Sequence, residues 1–246
     1  MHGKGVVYYG CDRVGQRLTR IQRQEIMHNR YSSLTFLTGA ASLRGLPPDF
    51  GCEVAFAGRS NAGKSSALNA VAARRALART SKTPGRTQQI NFFTLDEQRR
   101  VADLPGYGFA KAPAEVQRRW TVLVESYLQR RDCLSGLVLL MDSRRPLTDL
   151  DRQMVNWCVN AGVDLHAVLT KADKLGRGAA SRALSEARRV LEPLGDTVSS
   201  QLFSATKRDG LDELRSRIDG WLRVDETIEA AQAADSAEDD SDLPAD

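Results

Sequence analysis

The sequence predicts an α/β fold in which a mostly parallel sheet, with one antiparallel edge hairpin, carries helices on both faces. Three observations lead there. After Pro47-Pro48-Asp49, short apolar runs alternate with stretches of helical period. The first run passes directly into a glycine-containing turn and then into helix-forming residues. The second and third runs are separated by Asp96-Glu97-Gln98 alone, a connection too short for anything but a hairpin.

The elements follow in order. Strands are expected at Glu53 to Ala57, Gln89 to Leu95, Arg99 to Leu104, Leu134 to Met141, Asp164 to Thr170 and Thr197 to Phe203. Helical spacing joins Val116, Trp120, Leu123, Tyr127 and Leu128, then Leu150, Met154, Trp157 and Cys158. Two later stripes run through Leu184, Ala187, Leu191 and Leu194, and through Leu211, Leu214, Ile218, Trp221 and Leu222. Parallel strands joined by helices require right-handed crossovers. The expected organisation is a loose extension over 1–30, with Met27 an alternative start, then an N-terminal segment over 31–51, the main domain over 52–224 and an acidic disordered tail over 225–246.

The net charge of +4 is unevenly placed. Nine acids and no lysine or arginine follow Val224, leaving 22 acids against 35 bases before it, a net +13. Such a body favours a polyanionic partner such as RNA, while the tail lacks the apolar residues to fold. No apolar run approaches the roughly 20 residues of a membrane helix, and the N-terminus has no signal-peptide pattern. Four cysteines without paired spacing exclude a zinc ribbon or a disulfide scaffold and suit the reducing cytoplasm.

Chemistry concentrates in the segments after strands. Gly58-Arg59-Ser60-Asn61-Ala62-Gly63-Lys64-Ser65 is a full P-loop pattern. Its backbone N–H groups would wrap a phosphate, Lys64 would supply a catalytic charge to the β- and γ-phosphates, and the Ser65 hydroxyl would ligate Mg²⁺. Asp103-Leu104-Pro105-Gly106 ends the third strand, with Asp103 placed for a metal-bound water and the Gly106 N–H for the γ-phosphate. Thr170-Lys171-Ala172-Asp173 ends another strand. The Asp173 carboxylate can accept from both donors of a guanine edge, an arrangement adenine does not offer, while the Lys171 stem covers the base. Phe203-Ser204-Ala205 would close over the guanine O6. Taken together these segments predict a GTP-binding P-loop GTPase fold.

Ser81 to Gln88, polar and basic, reads as a switch loop, and Gly85, Arg86, Thr87, Gln88 and the adjoining Gln89 are expected to face the nucleotide. Thr87 is the expected second protein ligand to Mg²⁺ and part of the catalytic set, with Thr83 the competing candidate. Thr170 stands where most GTPases have asparagine, so a looser tie between loops is expected.

The segments Tyr31 to Phe36, G-R-S-N-A-G-K-S-S, T-S-K-T-P-G-R-T-Q-Q-I-N-F-F, D-L-P-G-Y-G-F-A-K and T-K-A-D resemble the EngB family of bacterial Era-like GTPases. The resemblance runs from about Tyr31 to Val224. It implies a role in assembly of the large ribosomal subunit, a link to cell division and septation, and a ribosomal precursor or rRNA as partner; nothing in the sequence suggests an obligate oligomer, and a monomer is expected. A GTP-dependent interaction module at the division site is the alternative.

Tyr107 follows Gly106 where Ras-like enzymes carry a water-positioning glutamine, which predicts slow hydrolysis helped by a partner or by K⁺. Asn61 stands where related GTPases ligate K⁺, a loop-capping role being the alternative. His166 reads as a hydrogen-bonded core histidine, and Trp120, Trp157 and Trp221 read as core. Arg118 and Arg119 lie on an exposed helix face.

Overall fold

The computed structural model describes residues 30–78, 89–108 and 114–224. Seven strands form one sheet: β1 (Thr35–Ala40), β2 (Cys52–Gly58), β3 (Ile90–Thr94), β4 (Arg99–Asp103), β5 (Leu134–Asp142), β6 (Asp164–Thr170) and β7 (Val198–Leu202). The order across the sheet is β1-β3-β4-β2-β5-β6-β7. The hairpin β3–β4 is antiparallel, as its short connection dictates, but it is not the edge. β1 pairs antiparallel with β3 outside it, so β3 alone runs against the other six strands. Thus part of the segment expected only to pack against the domain is built into its sheet.

Helices α1 (Lys64–Val71), α2 (Ala114–Arg130), α3 (Asp149–Ala161), α4 (Arg177–Leu191) and α5 (Leu211–Trp221) cover both faces. Strand β2 shows why. Val54 and Phe56 join one apolar cluster with Leu68 of α1 and Leu214 and Ile218 of α5. Ala55 and Ala57 join the other, with Tyr127 of α2, Met154 of α3 and Leu191 of α4. A strand covered on both sides must be apolar at every position, and β2 is, from its second buried residue to its last.

The exception is its second residue, Glu53, which is fully buried. Its carboxylate accepts from Tyr127 Oη at 2.7 Å, from Arg131 Nε and Nη2 at 3.0 and 2.8 Å, and from Arg100 Nε at 3.2 Å. The same arginines reach the preceding segment: Arg131 Nη1 donates to the Pro47 carbonyl at 2.8 Å and Arg100 Nη2 to those of Pro48 and Phe50 at 3.0 and 2.5 Å. Carbonyls of an irregular segment, of which only Pro47 is a buried residue, thereby find charged donors. Earlier still, buried Tyr31 donates to Asp219 of α5 at 2.5 Å.

His166 lies buried in β6 between Ser199 Oγ and Gln201 Oε1, each at 2.8 Å, and burial holds its imidazole down to about 4. It is a core histidine, as expected. Trp221 packs over Gly136 of β5 and donates to Asp164 at 3.1 Å. Trp120 and Trp157 are partly buried and stack with centroids 6.1 Å apart. The extension before residue 30 and the tail after 224 lie outside the described residues.

Candidate functional site

The sheet delivers the expected loops to the C-terminal ends of its parallel strands, where open α/β sheets bind ligands. β2 ends at Gly58, whose position tolerates no side chain: a Cβ would stand 2.7 Å from the Leu140 carbonyl of β5. The loop then turns through two left-handed residues, Asn61 (φ 63°) and Gly63 (φ 94°), before α1 begins at Lys64. Glycine meets the second requirement without strain, and asparagine tolerates the first better than most residues. Ser65 follows in the first turn of the helix.

One strand away, Asp103 ends β4, opposite Phe56 of β2. The Lys64 ammonium donates to its carboxylate, a part-buried pair that joins the P-loop to the start of the Leu104-Pro105-Gly106 segment. That segment runs on beside the P-loop. Leu104 N donates to the Phe56 carbonyl at 2.9 Å and Ser60 N to the Tyr107 carbonyl at 2.8 Å. Pro105 accepts from Trp120 Nε1 at 3.1 Å.

Tyr107 turns away from this surface. Its ring is buried against Trp120, and its hydroxyl donates to Asp151 Oδ1 of α3 at 2.8 Å. Burial and the Asp151 carboxylate push that hydroxyl's pKa well up, so it stays a donor. Asp151 in turn accepts from Thr148 N and Oγ1 at 2.9 and 2.7 Å, which caps α3. Tyr107 is therefore a tether between the segment after Gly106 and the start of α3.

β6 ends at Thr170, whose Oγ1 lies 2.5 Å from the Ala62 carbonyl and 3.0 Å from that of Met141. A hydroxyl has one proton, so the nearer P-loop carbonyl takes it. The tie between loops, expected to be looser with threonine, is made in a buried setting. Lys171 adopts φ 57°, and its ammonium spans the Asn61 carbonyl at 2.6 Å and Asp142 Oδ2 at 2.9 Å. Asp173 Oδ1 accepts from Ser204 Oγ at 2.7 Å, and this bond above all holds its carboxyl below the usual carboxylate range. Ser204 is fixed by its own N–H to the Asp209 carbonyl, and Ala172 N donates to Phe203 O at 3.1 Å. Residues 170–173 and 203–205 thus form one joined surface.

Gly85, Arg86, Thr87, Gln88 and the competing Thr83 lie outside the described residues. Gln89 is described, and its Oε1 lies against Gly39 of β1, because the pairing of β3 with β1 carries the residue before β3 toward that strand. It hydrogen-bonds none of the other expected site residues. Sequence reasoning missed Asp142, the carboxylate on Lys171. Its signal was an acid at the carboxyl end of an apolar strand. No group of three or more potential metal-ligating His, Cys, Asp or Glu side chains occurs among the described residues, nor is any described helix long and apolar enough to cross a membrane.

Residues 53–171 match the family model described as 50S ribosome-binding GTPase. A probable GTP-binding protein EngB from Coxiella burnetii is 52% identical over 193 residues, covering 78% of this chain and 94% of its own. The chain belongs to the EngB family. A second EngB protein, from Photorhabdus laumondii, is 51% identical over 197 residues, 80% of this chain and 94% of its own. A crystal structure of a probable EngB protein shares the fold, with a TM-score of 0.57 at 23% identity over 70% of this chain and 99% of that one. Aquifex aeolicus Era bound to GDP and AlF₄⁻ shares it too, with a TM-score of 0.53 at 19% identity over 69% of this chain and 56% of that one. As a member of EngB, the chain is a GTP-binding protein with the P-loop GTPase fold and GTP hydrolysis as its activity.

Proposed function

We propose that this EngB-family GTPase acts in the cytoplasm as a monomer that engages a precursor of the large ribosomal subunit or its rRNA, and that its role in assembly underlies normal cell division and septation. The observation that best supports the nucleotide part is the Asp173–Ser204 pair. It presents an ionised carboxylate beside Lys171 on loops already pinned to the P-loop. A preorganised carboxylate of this kind selects guanine through two donors. The ribosomal part draws on the family description and on the +13 body.

In this reading the backbone N–H groups of Gly58 to Ser65 cradle the phosphates, and Lys64 exchanges Asp103 for them. Gly85 to Gln89 order over the nucleotide, and the Gly106 N–H reads the γ-phosphate. Thr170, Lys171, Ala172 and Asp173 hold the base, with Phe203, Ser204 and Ala205 closing over it. Ser65 and Thr87 would hold Mg²⁺. The donor set fits: a hydroxyl in the first turn of α1 and the Asp103 carboxylate, already holding a cation, are the hard oxygen groups magnesium prefers. When bound, the ion neutralises developing phosphoryl charge. Hydrolysis is slow because Tyr107 is committed to Asp151 and leaves the water unoriented. A partner or K⁺ at Asn61 supplies the missing stabilisation, and equal turnover in KCl and NaCl at matched ionic strength would remove the K⁺ part.

The test is sedimentation of cell lysate with GDP or a non-hydrolysable GTP analogue, for wild type and for Asp173→Asn with the xanthosine analogue. Migration with large-subunit particles under the guanosine analogue, transferred to the xanthosine analogue in the variant, is the expected result. A chain that ignores ribosomal particles in every nucleotide state would overturn the ribosomal role and favour the division-site module.

A further inference from the structure

Against the outer side of the P-loop, with Arg59, Ser60, Asn61 and Ala62 as one wall and Lys171 at its border, lies a cavity of about 510 Å³ that Lys64, Ser65, Asp103, Asp173 and Ser204 do not line. Four cations border it: Arg59, Arg144, Arg145 and Lys171. Two acids, Asp142 and Asp151, border it as well, but both are engaged. Asp142 accepts from Arg144 Nε and Nη2 at 2.9 and 2.6 Å and from Lys171 Nζ at 2.9 Å, and these donors hold its carboxyl far below the usual range. Asp151 is taken by Tyr107 and Thr148. Arg59 and Arg145 are left without a carboxylate among the described residues. Arg59 also has a buried Nε with no hydrogen-bond partner, in a fold where buried donors are normally satisfied.

Two guanidiniums without counter-charges, one of them with an orphaned buried donor, make a site for an anion with several acceptor oxygens. We propose that this cavity is a docking site for a phosphodiester of RNA, with Arg59 and Arg145 as its ligands. The charged oxygens of a phosphodiester match the planar guanidinium fork, and an RNA strand offers successive phosphates to the two arginines. The placement has a consequence. Ser60 N bonds the Tyr107 carbonyl and Tyr107 bonds Asp151, so the cavity wall continues into the segment that follows Gly106. An RNA strand seated here would touch the protein where nucleotide state is read.

This deepens the ribosomal reading and rests on it. The probe is a short fluorescein-labelled single-stranded RNA of mixed sequence, titrated at several salt concentrations into the full chain loaded with a non-hydrolysable GTP analogue. Arg145 is exposed, so Arg145→Ala should fold normally. It should bind the RNA fivefold to tenfold more weakly. The slope of log K against log salt should shrink by about 0.7, one single-strand phosphate contact. Affinity for a fluorescent GTP analogue should not change. Arg145→Lys should restore the slope but only part of the affinity. Arg189→Ala, which removes an exposed arginine of α4 outside the cavity, should lose less than twofold.

An equal loss in Arg189→Ala and Arg145→Ala would overturn the site in favour of a diffuse basic field. Wild-type binding with no effect of Arg145→Ala would overturn the site while leaving the ribosomal role standing. Failure of the wild type to bind RNA in any nucleotide state would overturn both. Tighter Arg145-dependent capture of polyglutamate than of RNA would reassign the cavity to an acidic protein.

Discussion

Replacing Glu53 by glutamine keeps the side chain's shape and removes the one fully buried anion that two buried guanidiniums share, leaving Arg131 only the more distant Asp49 at 3.8 Å. The side chains of Arg100 and Arg131 are 5% and 3% exposed, and Glu53 itself is fully buried. The amide also turns a donor toward donors. Breaking a buried pair by removing one partner costs about 3–5 kcal/mol, far more than the pair contributes over an apolar replacement. In a domain of this size each kcal/mol moves Tm by roughly 2–4 °C, so the variant should melt on the order of 10 °C lower by calorimetry. GTP affinity, measured well below the transition, should change less than threefold, because the cluster contacts none of the nucleotide loops. A second arm isolates the charge. Arg131→Met should cost much less in the Glu53→Gln background than in the wild type, since its nearest counter-charge is then already gone. A Glu53→Gln protein that melts within about 2 °C of the wild type, or a pair of substitutions that simply add, would refute the account.

Other expectations follow from single contacts. His166 takes up a proton near 6.5 in the unfolded chain but only near 4 when buried. Stability from this residue is therefore complete above about 6.5 and is lost as pH falls toward 4, by roughly 3 kcal/mol in all. Urea titrations should show a smaller acid loss in His166→Gln, and parallel curves would refute the assignment. Gly136→Ala would set a methyl 2.3 Å from the Trp221 ring, so it should cost about 1–3 kcal/mol by overpacking and shift the tryptophan emission; an unshifted spectrum with unchanged stability would count against the packing described. Tyr107→Phe should lose about 1–3 kcal/mol through the weakened Asp151 tether while basal GTP turnover changes less than threefold. A hundredfold fall in turnover at full stability would show that Tyr107 touches the reaction.

The P-loop, the Asp103 segment and the loop at Asp173 were legible because each is a local backbone device: a few residues after a strand fix their own geometry whatever the rest of the chain does. The strands β2, β5 and β6, buried on both faces, announced themselves as apolar runs. β1 did not. Thr35 to Ala40 are mostly exposed or half-buried, Phe36 is 61% exposed, and the register shifts between Phe36 and Thr38, so neither alternation nor a continuous apolar run marks the strand. It exists because β3 offers an edge. Glu53 was equally silent, since its partners stand 47 to 78 residues away and no spacing rule connects them. The identity of Tyr107 showed what it could not do. Its destination on α3 depended on how two distant elements pack.

The strand β2 has a mechanical consequence. Its first buried residue is locked by four donors and its last leaves no room for a Cβ beside the Leu140 carbonyl, with β4 paired from Cys52 to Phe56 and β5 in unbroken register from Val54 to Gly58. A rod clamped at both ends resists sliding and rotation in its socket, which makes the root of the P-loop a rigid anchor. In the proposed switch, the parts that travel when GTP becomes GDP hang from the neighbouring strands, before β3 and past Gly106, and β2 is the fixed jaw against which that movement is measured.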